Sequence, residues 1–341
     1  MTEPYLKLPR EEQANILRAV APVLGQTPTV IEKDVWVCWV LKQLFEMPNR
    51  LPMAFKGGTS LSKIFQAISR FSEDVDITLD YRNLDPSVDP FDTNLSRSQL
   101  KKLSDHLKAR VHKHVSGTVV PFLLEQLAAD LDDHAFDIAI SEDGESVRIH
   151  YPTALAGSGG YIPESVLIEF GGRNITEPSG GHLVRPYLAD AIEGLHFPSA
   201  TVVVLAAERT FWEKATLIHV ECHRTEFRTN AERLSRHWYD LAMLAQHAIG
   251  KNALGNRALL EDVVQHKKVF FHAGHASYDA CLRGALQLIP GKVELAALQT
   301  DFEKMVGAGM FFLAPPSFAE IVDRLRRVET EINAATRDCG R

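Results

Sequence analysis

Between Ile31 and Phe45 apolar residues recur at helical spacing, at Ile31, Val35, Trp36, Cys38, Trp39, Leu41, Leu44 and Phe45. The pattern predicts a helix from Thr29 to Phe45 with Glu32, Lys33 and Asp34 in its first turn, inside a helical stretch over residues 10–47. A short strand, Pro52 to Phe55, then runs into Lys56-Gly57-Gly58, and Thr59 is the expected N-cap of a helix through Ala67. Residues 75–81 alternate with period two and predict a strand. Residues 82–95, rich in Asp, Asn, Pro and Ser, predict a surface loop. Ser96 to Leu131 predicts helix, and the runs 135–141, 146–151, 165–170 and Thr201 to Leu205 predict strands.

Beyond residue 206 helical periodicity dominates, over 207–222, 230–247, 256–267, 278–288, 293–306 and 317–335. The change of texture predicts two domains, a mixed one over residues 1–205 and an all-α one over 206–341, and hence an α+β chain.

Composition adds exclusions. Hydrophobic residues make up 45% and charged residues 24% of 341, ordinary values for a globular protein. A net charge of −7 does not suit a surface that coats nucleic acid everywhere, so a nucleic-acid substrate needs a local basic patch. The four cysteines, Cys38, Cys222, Cys281 and Cys339, show no C-x-x-C spacing and read as thiols in a reducing compartment. The first residues lack the pattern of a signal peptide, and no run approaches the ~20 apolar residues of a membrane span. A cytoplasmic protein with no membrane partner is expected.

The chemistry is concentrated in Phe55-Lys-Gly-Gly-Thr-Ser-Leu-Ser-Lys-Ile64 and Arg70-Phe-Ser-Glu-Asp-Val-Asp-Ile77. Glycines 57 and 58, between a strand and a helix, let backbone approach a phosphate, and the N–H groups from Thr59 to Leu61 then point at the anion. Asp74 and Asp76 lie two apart on a strand, so both face one side, opposite Val75, Ile77 and Leu79. Two carboxylates beside a phosphate cradle suit Mg²⁺. A D-x-D or a Gly-Gly alone reads as an exposed strand or a turn; the order strand, Gly-Gly, helix, D-x-D strand favours the functional reading.

These residues resemble the first motif of the AbiEii-type nucleotidyltransferase toxins, within the polymerase-β-like nucleotidyltransferase superfamily. Three later runs add to the likeness: Ile31-Glu-Lys-Asp-Val-Trp36, Glu208-Arg-Thr-Phe-Trp-Glu-Lys214 and Arg236-His-Trp-Tyr-Asp240. The resemblance implies a polymerase-β-like core followed by a helical domain. It also implies Mg²⁺ (one or two ions, with Mn²⁺ as an alternative), an NTP substrate and a cognate antitoxin. Asp74 and Asp76 would hold the metal, with Glu169 as third carboxylate; Asp137 is the rival for that place. Gly57, Gly58, Thr59, Ser60, Lys63 and Ser72 would lie about the nucleotide phosphates, Lys214 would neutralise them, and Asp240 would orient Lys214 or the acceptor. A solvated helix face is the alternative reading of Lys214.

His219, His223, Arg224, Arg228, Arg233, Arg236 and His237 read as the densest basic stretch, suited to a triphosphate or an RNA backbone. The competing reading is a pair of surface helices with salt bridges to Glu221, Glu226 and Glu232. His219 and His223 share a helix face, but Glu221 does not match the H-E-x-x-H zinc pattern, so a surface or phosphate-facing role is expected. The expected reaction is transfer of a nucleoside monophosphate to an acceptor, with the 3′ end of tRNA the first choice and a protein hydroxyl or a small molecule as others. A non-catalytic module that binds NTP or a partner is the alternative class, and a metallohydrolase a third.

Overall fold

The computed structural model describes residues 3–87, 89–92, 95–131, 135–155, 163–224 and 233–338. Gly157, Gly159, Gly160, Arg228, Glu226, Glu232 and Cys339 lie outside them.

The strands are β1 (Glu3–Pro4), β2 (Met53–Lys56), β3 (Asp74–Asp80), β4 (Asp137–Ile140), β5 (Ser146–His150), β6 (Ser165–Asn174), β7 (Ser179–Val184), β8 (Leu195–His196) and β9 (Ala200–Leu205). The helices of the first part are α1 (Arg10–Leu24), α2 (Pro28–Glu46), α3 (Gly57–Lys63), α4 (Tyr81–Leu84), α5 (Arg97–His114) and α6 (Val120–Asp130). Those of the second part are α7 (Ala207–Cys222), α8 (Arg236–Gln246), α9 (Ala248–Gly255), α10 (Arg257–Phe270), α11 (Tyr278–Leu282), α12 (Lys292–Gly307) and α13 (Phe318–Asp338). The result is an α+β chain with a mixed sheet and flanking helices.

Two compact units form. One comprises residues 1–64, 71–89 and 101–205; the other comprises 65–70, 90–100 and 206–341. The segments 65–70 and 90–100 thus belong with the helical part although they lie early in the chain.

The first unit is built on a seven-stranded sheet in the order β4-β5-β6-β3-β2-β9-β7, in which β3 runs parallel to β6 and antiparallel to β2. On one face Val75, Ile77, Leu79, Val166, Ile168 and Phe170 are buried, as the period-two pattern requires. Helix α2 packs on this sheet and is buried almost throughout. Its start is set one residue before the predicted range, with Thr27 as N-cap accepting from the Val30 N–H and Pro28 in the first turn.

The charged first turns of α2 are buried too. Glu32 accepts from Thr153 Oγ1 at 2.7 Å and the Ala154 N–H at 2.6 Å. Lys33 Nζ meets Glu73 Oε2 at 2.5 Å and the Pro163 carbonyl at 2.9 Å. Asp34 accepts from Lys63 Nζ at 2.6 Å and the Tyr187 N–H at 2.7 Å. Burial pushes the Lys33 pKa down more than Glu73 pulls it up. For Lys63 burial also opposes the charge, yet Asp34, Cys38 and Tyr187 together outweigh it and hold the pKa above its ordinary value.

Removing one partner of such a buried pair strands the other. Lys33→Met is expected to destabilise the first unit by about 3–5 kcal/mol in urea unfolding. The double variant Lys33→Met, Glu73→Gln should recover most of that loss; equal instability of the two would show that the pair itself is not the cause.

Candidate functional site

Strand β2 ends at Lys56 and the chain turns directly into α3. Gly57 makes this turn with φ +81°, and a Cβ there would fall 1.7 Å from Asp76 Oδ2. A glycine is required on both counts: the left-handed backbone and the carboxylate seated against it. The Gly-Gly turn and the D-x-D strand are therefore in contact.

Helix α3 begins three residues earlier than the pattern predicts and ends at Lys63 rather than Ala67, and Thr59 is not its cap. The Thr59 hydroxyl donates to the Asp74 carbonyl at 2.6 Å, and the buried Ser60 hydroxyl donates to the Gly57 carbonyl at 2.9 Å. Both hydroxyls pin the turn. Lys63, expected beside phosphates, is buried against Asp34 with its Nζ 3.9 Å from the Tyr187 ring centroid. Gly58 is buried and Ser72 half-buried.

Asp74 and Asp76 are half-buried on the face opposite Val75 and Ile77. Register places Glu169 directly beside Asp76 across β3 and β6, with Ser146 beyond Glu169 and Lys56 on the other flank of Asp76. One row of the sheet thus carries Ser146, Glu169, Asp76 and Lys56. Glu169 is exposed, and Asp137 lies on the edge strand β4, also exposed. Lys56 was not singled out from the sequence; only the β2–β3 register sets its Cα opposite that of Asp76.

Among the described residues no group of three or more His, Cys, Asp or Glu side chains is gathered for a metal ion. Two aspartates on one strand fit Mg²⁺ nonetheless, since that ion takes one or two carboxylates and fills its remaining positions with phosphate oxygens and water.

The helical unit holds the other candidate residues. Asp240 on α8 is fully buried and accepts from Arg70 Nε and Nη2, both at 2.7 Å, and from Lys214 Nζ of α7 at 2.8 Å. Burial alone raises the Asp240 pKa, but Arg70 and Lys214 outweigh it and hold the carboxyl well below the usual range. Burial pushes Lys214 down, against the pull of Asp240. Segment 65–70 is fastened here as well, through the Ser69 N–H to Tyr239 Oη at 3.2 Å and the Phe312 N–H to the Ser69 carbonyl at 3.0 Å. Arg70 was legible only as part of a motif; its partner lies 170 residues away.

The basic stretch divides. His219 is a core residue, neither surface nor phosphate-facing: Nδ1 accepts from the Gln287 N–H at 2.9 Å, and Nε2 lies 3.2 Å from the Ser277 carbonyl. Arg224 pairs with Glu221 at 2.9 Å, the salt bridge of the competing reading. Arg236 lies close enough to Lys214 to oppose its charge, and His237, whose pKa burial pushes down, is lowered further by Lys214.

The Asp76 carboxylate lies against the strand–Gly-Gly–helix turn, and the Asp74 carbonyl is tied to it through Thr59. A family model described as the nucleotidyl transferase AbiEii toxin of type IV toxin–antitoxin systems matches residues 39–324. The chain belongs to this family: it is a nucleotidyltransferase toxin of a type IV toxin–antitoxin system, a class that uses an NTP and is paired with an antitoxin. Among solved structures, MenT4, a nucleotidyltransferase toxin from Mycobacterium tuberculosis H37Rv, is 17% identical with a TM-score of 0.43, covering 96% of this chain and 99% of that one. No curated protein matches the chain. Among the described residues no helix is long and apolar enough to cross a membrane.

Gly57→Ala is expected to cost about 1–3 kcal/mol from the backbone strain. It should also lower nucleotidyl transfer about 100-fold by displacing Asp76. Loss of stability with transfer intact would separate the glycine from the site. His219 provides a test of the core assignment. Burial lowers its pKa to about 4, with the proximity of His223 adding to the drop and the Ser277 carbonyl opposing it. The unfolded imidazole binds its proton near pH 6.5 and the folded one only near 4, so stability is full above 6.5 and falls between those values. Urea unfolding across that range should show the loss, about 3 kcal/mol at most, and His219→Asn should show less of it.

Proposed function

We propose that the chain transfers a nucleoside monophosphate from an NTP to an RNA acceptor, with the 3′ end of tRNA as the first choice, and releases pyrophosphate. The contact of Gly57 with Asp76 carries the reading, because it joins a turn suited to phosphates to a carboxylate suited to a cation.

Asp74 and Asp76 would hold Mg²⁺, or Mn²⁺ in its place, with Glu169, beside Asp76 in register, as the third carboxylate. When bound, the ion neutralises charge on the phosphates and lowers the pKa of the acceptor hydroxyl. Gly57 and Gly58 give the phosphates room at the backbone. Thr59 and Ser60 keep that turn in shape, and Lys63 fastens α3 to α2 rather than touching the nucleotide. Lys214, oriented by Asp240, neutralises the phosphates, and Arg70 holds Asp240 in place. The acceptor oxygen forms a bond to the α-phosphorus as the bond to pyrophosphate breaks, and the hydroxyl proton passes to solvent. Catalysis is positioning and charge stabilisation.

The test is purified protein with each α-³²P NTP in turn, Mg²⁺ and total tRNA. Label is expected on tRNA, falling about 100-fold or more in Asp74→Ala and in Asp76→Ala. Label on the protein itself would replace the RNA acceptor by a protein hydroxyl. Nucleotide release without labelled acceptor would replace transfer by hydrolysis, and NTP binding without either would leave a binding module.

A further inference from the structure

Residues 101–114 are a denser basic stretch than 219–237. They hold Lys101, Lys102, Lys108, Arg110 and Lys113 against a single acid, Asp105, in a chain of net charge −7. All belong to helix α5, whose buried side chains are Leu107 and Val111. Lys101, Lys102, Arg110 and Lys113 are exposed and have no carboxylate partner among the described residues. Lys108 is 3.6 Å from Glu145, and His106 is taken by Asp85 at 2.8 Å.

The cations are aligned. Lys102, Arg110 and Lys113 are spaced i, i+8 and i+11, within about 80° of one another around the helix and along about 16 Å of its length. The platform beneath them is well seated. Val111 and Leu84 close over Gly172 of β6, where a Cβ would fall 2.3 and 2.5 Å from them, and His112 packs over Gly144.

At the C-terminal end of this row the helix widens into one π-helical turn, Val115–Val119. A cavity of about 440 Å³ opens there, lined by Arg110, Lys113, His114, Thr118 and Asn83 among others; none of the described residues that line it is acidic. Arg110 spends Nε on the Leu84 carbonyl at 3.0 Å, which leaves its terminal nitrogens for a ligand. The His114 Nε2 is buried without a partner among the described residues. π-Turns of this kind are frequent at functional sites.

We propose that the exposed face of α5, with the cavity at its end, is a docking surface for the phosphate backbone of the RNA acceptor. A row of cations without carboxylate partners among the described residues fits a polyanion rather than one small anion, and the cavity fits a single nucleotide or phosphate at the end of the row. The proposal rests on the RNA-acceptor reading above. Gly172 belongs to the face of Leu79, opposite Asp74 and Asp76, so this surface holds the acceptor without touching the reacting atoms.

The test measures binding apart from transfer. Fluorescent tRNA is titrated, without NTP or divalent metal, against the wild type, Asp76→Asn and the triple variant Lys102→Gln, Arg110→Gln, Lys113→Gln, at several salt concentrations. The wild type and Asp76→Asn should bind alike. The triple variant should bind about tenfold more weakly or worse, with the slope of log K against log salt flatter by about two to three. In the transfer assay its KM for tRNA should rise while kcat is kept. If the triple variant melts early, Lys102→Glu with Lys113→Glu, both at exposed positions, replaces it. Unchanged affinity and slope in the variants would overturn the proposal, as would a wild type that does not bind tRNA. Millimolar orthophosphate that displaces tRNA while the slope stays unchanged would also overturn it, in favour of a small-anion pocket. Absence of transfer with α5-dependent tRNA binding intact would instead overturn the transfer reading and leave the docking surface standing.

Discussion

Three consecutive charges in the first turns of α2, Glu32, Lys33 and Asp34, are all buried and all matched, and the candidate site depends on them. Lys33 holds Glu73, the residue before Asp74. Asp34 holds Lys63 at the end of α3, whose start is the Gly57 turn. Glu32 holds the segment at Thr153 and Ala154. One turn of one helix thus sets both the strand that carries the carboxylates and the helix that faces them. Buried pairs add little net stability over well-packed apolar groups, but each accepts its partner in one geometry.

This scaffolding explains why the polar residues of the first motif divide into two kinds. Thr59, Ser60 and Lys63 are committed to backbone carbonyls and to Asp34. Asp76, beside the glycine turn and in one sheet row with Glu169 and Lys56, is of the second kind, placed by strand register. In the helical unit the same economy appears around Asp240, where two cations share one buried carboxylate. A lysine held in this way has its orientation fixed by the fold.

The proposed docking face on α5 would divide labour within this toxin. A polyanion gripped on the side of the sheet opposite the aspartates gains affinity from counterion release and carries no information about the chemistry. An acidic chain can then select a long RNA over free nucleotides without an overall positive field.

Much of this was legible in the sequence. Period two put Asp74 and Asp76 on one face, the glycine pair marked the turn, and helical spacing marked α2 and α7, because each of these signals is carried by neighbours in the chain. What spacing cannot encode is which distant group a charge meets. Glu32, Lys33 and Asp34 look like a solvated first turn until the sheet covers them. His219 looks like a surface ligand until Gln287 and Ser277 close over it. Lys63 and Arg70 look alike as motif cations, yet one serves Asp34 and the other Asp240, 170 residues away. The row of Lys56, Asp76 and Glu169 exists only through strand order and register. Local periodicity determined the elements and the pair of aspartates; long-range burial, which gives a buried charge its partner, decided which residues form the scaffold.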